Sequence, residues 1–299
     1  MPVYNLTTSQ HERLRNLVRR SPVFIGMRVV VRDDRVEVVE PEELEFTLYP
    51  VLEAVVDAPM DQWPSLVDDC LRRMLNALTG GSPELDGPTE QLLGRVYAKL
   101  RPVEGSPTEW WTYAREIAPD LLLVLALDHP DHIAILNDEQ VNRHGFDRLL
   151  EAGMENLCGQ LPNECVEHAG VFIVSGAEYV ASTVLVVPWV VEAVTGDPDY
   201  RHGVLVAMPN DNVLVFHVVR DSAGTRYAMG EIARVAAEEY ADSPRPLSPN
   251  VYWWPAESGV LEPVAHYVGN ANGVIGQDVA THYSAGFARV LDELDHVRG

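Results

Sequence analysis

Asp128-His129-Pro130-Asp131-His132 is the densest polar run in this chain. Its two carboxylates and two imidazoles, with His144 and Asp147 downstream, are donors of the kind that hold a divalent metal. A metal held by Asp128, His129, Asp131 and His132 would activate water, and the chain would be a metal-dependent hydrolase or phosphoesterase. The same five residues also suit a solvated hairpin turn. The aliphatic run Leu121–Leu127 enters them and His132–Leu136 leaves. Strand alternation then sends His129 and His132 to different faces, so the turn is the simpler reading.

Other catalytic signatures are missing from the sequence. No Gly-x-Ser-x-Gly occurs, and Ser175-Gly176 lacks the leading glycine. His11-Glu12 lacks a second histidine four residues on. The stretch Gly269–Gly276 is glycine-rich and precedes a helix, but it has neither dinucleotide spacing nor a lysine. The three cysteines, Cys70, Cys158 and Cys165, lack Cys-x-x-Cys spacing, which argues against a disulfide framework and a zinc knuckle. No cofactor is implied, and the balance leans against an enzyme. His217 is out of phase with Leu214, Phe216 and Val218, so it is expected on the opposite, exposed sheet face.

Tyr252-Trp253-Trp254 is the second candidate site. Adjacent indoles on a strand face opposite ways, so one packs into the core while the other covers a helix or a partner. Trp253 and Trp254 are therefore the candidate binding residues.

Charge bears on partners. The net charge is −23, unevenly spread. Residues 1–35 hold seven arginines against Glu12, Asp33 and Asp34; the rest hold 15 basic residues against 42 acidic ones. Such a body repels phosphate backbones and disfavours nucleic acid. It matches a basic protein partner. Lys99 is the only lysine, a skew most simply read as a coding bias. Apolar runs are too short to span a bilayer, and the first thirty residues do not read as a signal peptide. No membrane association and a cytoplasmic location are expected.

These residues need elements to position them. His11–Arg20 reads as a short helix, followed by valine-rich strands over Met27–Arg32 and Arg35–Val39 around an Asp33-Asp34 turn. Asp61–Leu78 carries a continuous apolar stripe and is the strongest helix. Phe146–Leu157 reads as another amphipathic helix, Val171–Val174 as a short strand, and Tyr179–Val194 as a buried helix kinked at Pro188. Gly203–Val219 and Val251–Val264 read as buried hairpins, with helices over Tyr227–Tyr240 and Tyr283–Leu294. Helices alternate with hairpins, which predicts α+β: mixed, largely antiparallel sheets with helices on one face, in two layers of similar type along the chain. The expected divisions are an α+β region over 1–100, a linker or insertion over 101–118, an α+β region over 119–269 and a terminal helix over 270–299.

Three segments carry a family likeness: Phe146–Leu150 with Asn156–Pro162, the strand-turn-strand unit Gly203–Val218, and Gly259-Val-Leu-Glu-Pro-Val264. In these, and in the order of its elements over roughly residues 20–268, the chain resembles the YtpQ-like family, a bacterial domain family of unknown function. It departs by an insertion around 101–118 and a tail after Gly269. The resemblance implies a fold and transfers no catalytic residue. The functional expectation is a non-catalytic acidic protein-binding module, an adaptor or an immunity- or inhibitor-like protein. The metal-dependent hydrolase is the alternative. Oligomeric state is left open.

Overall fold

The computed structural model describes residues 6–32, 35–40, 44–56, 58–78, 85, 87–106, 108, 111–129, 133–160, 164–243, 245–269 and 279–296. The chain forms two compact units, Met1–Pro88 and Thr89–Gly299.

In the first unit, α1 (Thr8–Arg20) starts at a capping box in which Thr7 and Gln10 satisfy each other's backbone N–H groups. An antiparallel sheet follows, in the order β1 (Arg28–Val31), β2 (Arg35–Glu40), β3 (Leu44–Thr47). Next come α2 (Tyr49–Val55) and α3 (Trp63–Leu78). The apolar stripe of α3 does what its spacing predicts: Trp63, Val67, Cys70 and Leu71 are buried with Leu14 and Val18 of α1 and Val36 and Val38 of β2. Trp63 also donates Nε1 to the Ala58 carbonyl at 3.0 Å, so its one polar atom is satisfied on burial. The expected Asp33-Asp34 turn lies outside the described residues.

The second unit contains two sheets. The smaller is built around β6 (Leu121–Asp128), buried along its whole aliphatic run. A strand with no polar face needs ladder partners on both edges. β4 (Val96–Pro102) runs antiparallel along one edge, while β5 (Arg115–Ala118) and β7 (Ile133–Ile135) share the other. Residues 101–118, expected as a linker, thus hold the end of β4 and all of β5, and the chain divides near residue 88 instead. α4 (Asp138–His144) starts at an Asn137 capping box, and α5 (Phe146–Leu157) packs on β4. The contact is close: a Cβ on Gly153 would lie 2.7 Å from the Ala98 backbone nitrogen.

The larger sheet is antiparallel throughout, in the order β14-β13-β12-β10-β11-β9-β8. Its strands are β8 (Glu164–His168), β9 (Val171–Ser175), β10 (Val204–Asn210), β11 (Val213–Val218), β12 (Asn250–Trp254), β13 (Glu262–Tyr267) and β14 (Val279–Thr281). Both expected hairpins form, β10 with β11 and β12 with β13, and β10 joins them by pairing with β12. The α+β class with antiparallel sheets is as expected, but helical segments cover both faces of this sheet. On one face Val204, Val206, Leu214, Phe216 and Trp254 pack with a 3-10 helix over Ala181–Val186 and with α6 (Val187–Thr195). On the other, Leu205, Ala207, Val215 and Trp253 pack with α7 (Ser222–Asp242) and α8 (Ala285–His296). Every residue of β10 and β11 is buried in consequence.

Two expectations fail for this reason. His217 is buried at 9% exposure. Its Nδ1 lies 2.7 Å from the Gly170 carbonyl oxygen and its Nε2 3.5 Å from Thr225 Oγ1 of α7, the element that covers the face on which solvent was expected. Tyr179–Val194 is not one kinked helix: a 3-10 segment ends at Val186, and Pro188 stands in the first turn of α6, where its missing N–H costs nothing.

Asp120 ties the two sheets together. Its carboxylate accepts from Ser248 Oγ, from Asn250 Nδ2 at 3.0 Å and from Tyr252 OH, just ahead of β6 on one side and along β12 on the other. Burial and the Asp120 charge push the Tyr252 phenol well above its ordinary pKa, so it remains a donor.

Candidate functional site

The expected metal site has other uses for its described members. Asp128 ends β6, and its Oδ1 accepts from Tyr179 OH at 3.3 Å. His129 follows it, while Asp131 and His132 lie outside the described residues. His144 is buried on α4 with Nδ1 3.0 Å from Thr89 Oγ1. Asp147 is exposed, 3.9 Å from Arg115. Among the described residues, no group of three or more His, Cys, Asp or Glu side chains is arranged to hold a metal ion.

The two indoles are placed where alternation sends them, on opposite faces, and both are core. Trp253 is 6% and Trp254 9% exposed. Trp253 donates Nε1 to the His202 carbonyl at 3.1 Å and packs on Phe287, with ring centroids 5.4 Å apart. Trp254 meets the Tyr200 ring edge-on at 5.7 Å. The interface expected at Trp253 or Trp254 is therefore replaced by internal packing: both faces of the strand are already covered.

Sequence reasoning missed a buried charge cluster. On β4, Tyr97, Lys99 and Arg101 alternate onto one face. Tyr97 stacks on Tyr179, with ring centroids 4.2 Å apart. Lys99, 3% exposed, extends beneath. Its Nζ donates to the Glu178 carbonyl at 2.8 Å, lies 5.1 Å from the Tyr179 ring centroid and pairs with Asp211 Oδ1 at 3.0 Å. Asp211 sits in the β10–β11 turn, its own carbonyl held by the Ala181 N–H at 3.2 Å. Arg245 pairs with Glu178 at 2.7 Å and lies 3.9 Å from Asp211 Oδ2. Desolvation pulls the Lys99 ammonium below its usual pKa, and Asp211 opposes that fall. The solitary lysine was the available signal. Alternation on β4 puts it on the same face as Arg101, but the sequence does not show that a distant turn brings Asp211 to it.

The second missed feature is the edge strand β8. It ends the large sheet, its five residues are all exposed, and among the described residues no strand pairs with its outer edge. Val166 is 50% exposed. Glu164 and Glu167 give the strand its charge. The turn to β9 uses Ala169 at φ 50° and Gly170 at φ 77°. Alanine rarely takes that conformation, so the usual Asn-Gly or Asp-Gly hairpin signal is missing there. Cys165 is on this strand, and burial together with Glu167 raises its thiol pKa; burial and Glu155 do the same for Cys158. Neither thiol has the lowered pKa of a reactive nucleophile.

Among the described residues, no helix is long and apolar enough to cross a membrane. No protein-family model matches the chain, and neither the curated proteins nor the solved structures compared with it include a match.

Proposed function

We propose that this chain is a non-catalytic, acidic protein-binding module, of adaptor or inhibitor type, that takes up an extended basic segment along β8. The observation that carries this reading is the fully exposed edge strand at one end of a seven-stranded sheet whose interior strands β10 and β11 are buried throughout. An unpaired strand edge offers a row of backbone donors and acceptors to another chain, and natural proteins usually cover or shorten such an edge. Two glutamates on the strand and a net charge of −23 over the chain favour lysine- or arginine-bearing partners. Val166 supplies the apolar contact that a paired strand would bury. The resemblance to the YtpQ-like family assigns no site. The hydrolase reading has weaker support, because Asp128 and His144 already have Tyr179 and Thr89 as partners.

The test is calorimetric titration with an extended peptide of alternating lysine and valine. Affinity is expected to fall with rising salt and to drop by about tenfold or more in the Glu164→Lys/Glu167→Lys variant. Equal affinity for wild type and variant would remove β8 from the reading.

A further inference from the structure

Reversed, the sequence of β8 nearly complements itself. The strand runs Glu164-Cys-Val-Glu-His168, five exposed residues, and among the described residues no strand pairs with its outer edge. The turn decides which backbone groups face that edge. Ala169 and Gly170, both at positive φ, form a two-residue connection between His168 and Val171. Such a turn closes on a hydrogen-bonded pair, and ladder bonds alternate from there. Glu164, Val166 and His168 therefore direct N–H and C=O to β9, while Cys165 and Glu167 direct theirs to the open edge.

A second β8 related by a two-fold axis can meet this edge in few registers. Outward-directed groups must face outward-directed groups, so only shifts of two residues are allowed. With Val166 opposite Val166 of the other copy, all five residues pair: Glu164 stands opposite His168, and Cys165 opposite Glu167. Shifted two residues one way, Glu167 stands opposite Glu167. Shifted the other way, Glu164 stands opposite Val166 and His168 passes beyond the end of the strand. Like charges directly opposite are destabilising, and complementary pairs are favourable. An imidazole donates N–H to a carboxylate whether it is charged or neutral.

We propose that β8 pairs with β8 of a second copy of this chain, with Val166 on the two-fold axis. Each Cys165/Glu167 pair exchanges both backbone bonds, the Glu164/His168 contact is made twice, and the two large sheets become continuous. The inference rests on the reading of β8 as an open pairing edge and adds a control to it: a second copy on the edge excludes the basic segment. The contact is short, so the dimer is transient and fills with rising protein concentration. At about 0.15 M salt, charges more than about 8 Å apart are screened, so the net charge of −23 does not bar approach.

The experiment is sedimentation equilibrium of the whole chain over a range of concentrations in about 0.15 M sodium chloride. Wild type is expected to show a reversible monomer–dimer equilibrium. His168→Glu turns two symmetry-related attractions into repulsions and is expected to weaken the dimer about tenfold. The exchange Glu164→His/His168→Glu restores both pairs in reverse and is expected to restore the dimer. A monomer at every concentration, equal dimerisation in His168→Glu, or no recovery in the exchanged variant would overturn the proposal. Titration with the lysine-valine peptide separates this inference from the reading it rests on. A monomeric chain that captures the peptide along β8 would sink the self-pairing and keep that reading. A dimer with the expected response to His168→Glu that takes no peptide would keep the self-pairing and remove the basic partner.

Discussion

Asp211 carries more of the buried cluster than Lys99 does. Its carboxylate faces Lys99 at 3.0 Å and Arg245 at 3.9 Å, and Arg101 feels its charge as well. Breaking a buried pair from one side costs about 3–5 kcal/mol when the surviving charge is left uncompensated. Asp211→Asn strands Lys99 among two further cations and is expected to reach that range. Lys99→Met leaves Asp211 with the arginines and is expected to cost less. Urea unfolding of both single variants and the double variant checks the asymmetry; equal losses would contradict it. His217 gives a pH dependence of fixed sign. Burial depresses its pKa below the ordinary imidazole value, ahead of the opposing contact with Gly170. The unfolded chain therefore binds the proton more readily. The contribution is fully present above the ordinary value, near pH 6.5, and is lost as pH falls through it toward the folded value. His217→Gln is expected to flatten the stability profile between about pH 7 and pH 5, and an unchanged slope would rule His217 out. This histidine also shows a limit of sequence reading: alternation places it correctly on the opposite face, but nothing in that pattern says a second helical layer covers that face.

At the scale of elements, the closest approach of helix to strand is α5 on β4. The sequence presents α5 plainly through Phe146, Leu149 and Leu157, yet nothing in it singles out Gly153 as the point of contact. A Cβ there would stand 2.7 Å from the Ala98 nitrogen and 3.0 Å from the Tyr97 carbonyl carbon, both backbone atoms that cannot step aside. Gly153→Ala is expected to cost about 1–3 kcal/mol despite its better helix propensity. Chemical denaturation measures this, and a stabilised variant would contradict the packing. Elements with strong periodicity were legible: α3, α5, β6 and both buried hairpins. Those set by neighbours were not. β5 is short and polar and exists because β6 needs a partner on that edge. β8 is a strand only because β9 offers it a ladder. Pro188 reads as a kink in the middle of an apolar run and as a helix start once the 3-10 segment before it is seen.

For the whole molecule, two observations meet at the edge of the large sheet. The interior strands β10 and β11 are buried completely, and β8, two strands further on, is exposed completely. The apolar side chains of β10 and β11 and the two tryptophans expected at an interface are spent on the two cores. What the second unit leaves open on its large sheet is backbone and charge. Charge was legible from the sequence alone; the open edge was not, because it depends on which strand ends the sheet. The most direct measurement of the central claim is amide hydrogen exchange at Glu164–His168 with and without a bound lysine-valine peptide. Outward-facing amides of β8 are expected to exchange quickly in the free protein and to gain protection when the peptide binds. Peptide binding that leaves exchange along β8 unchanged would contradict the account.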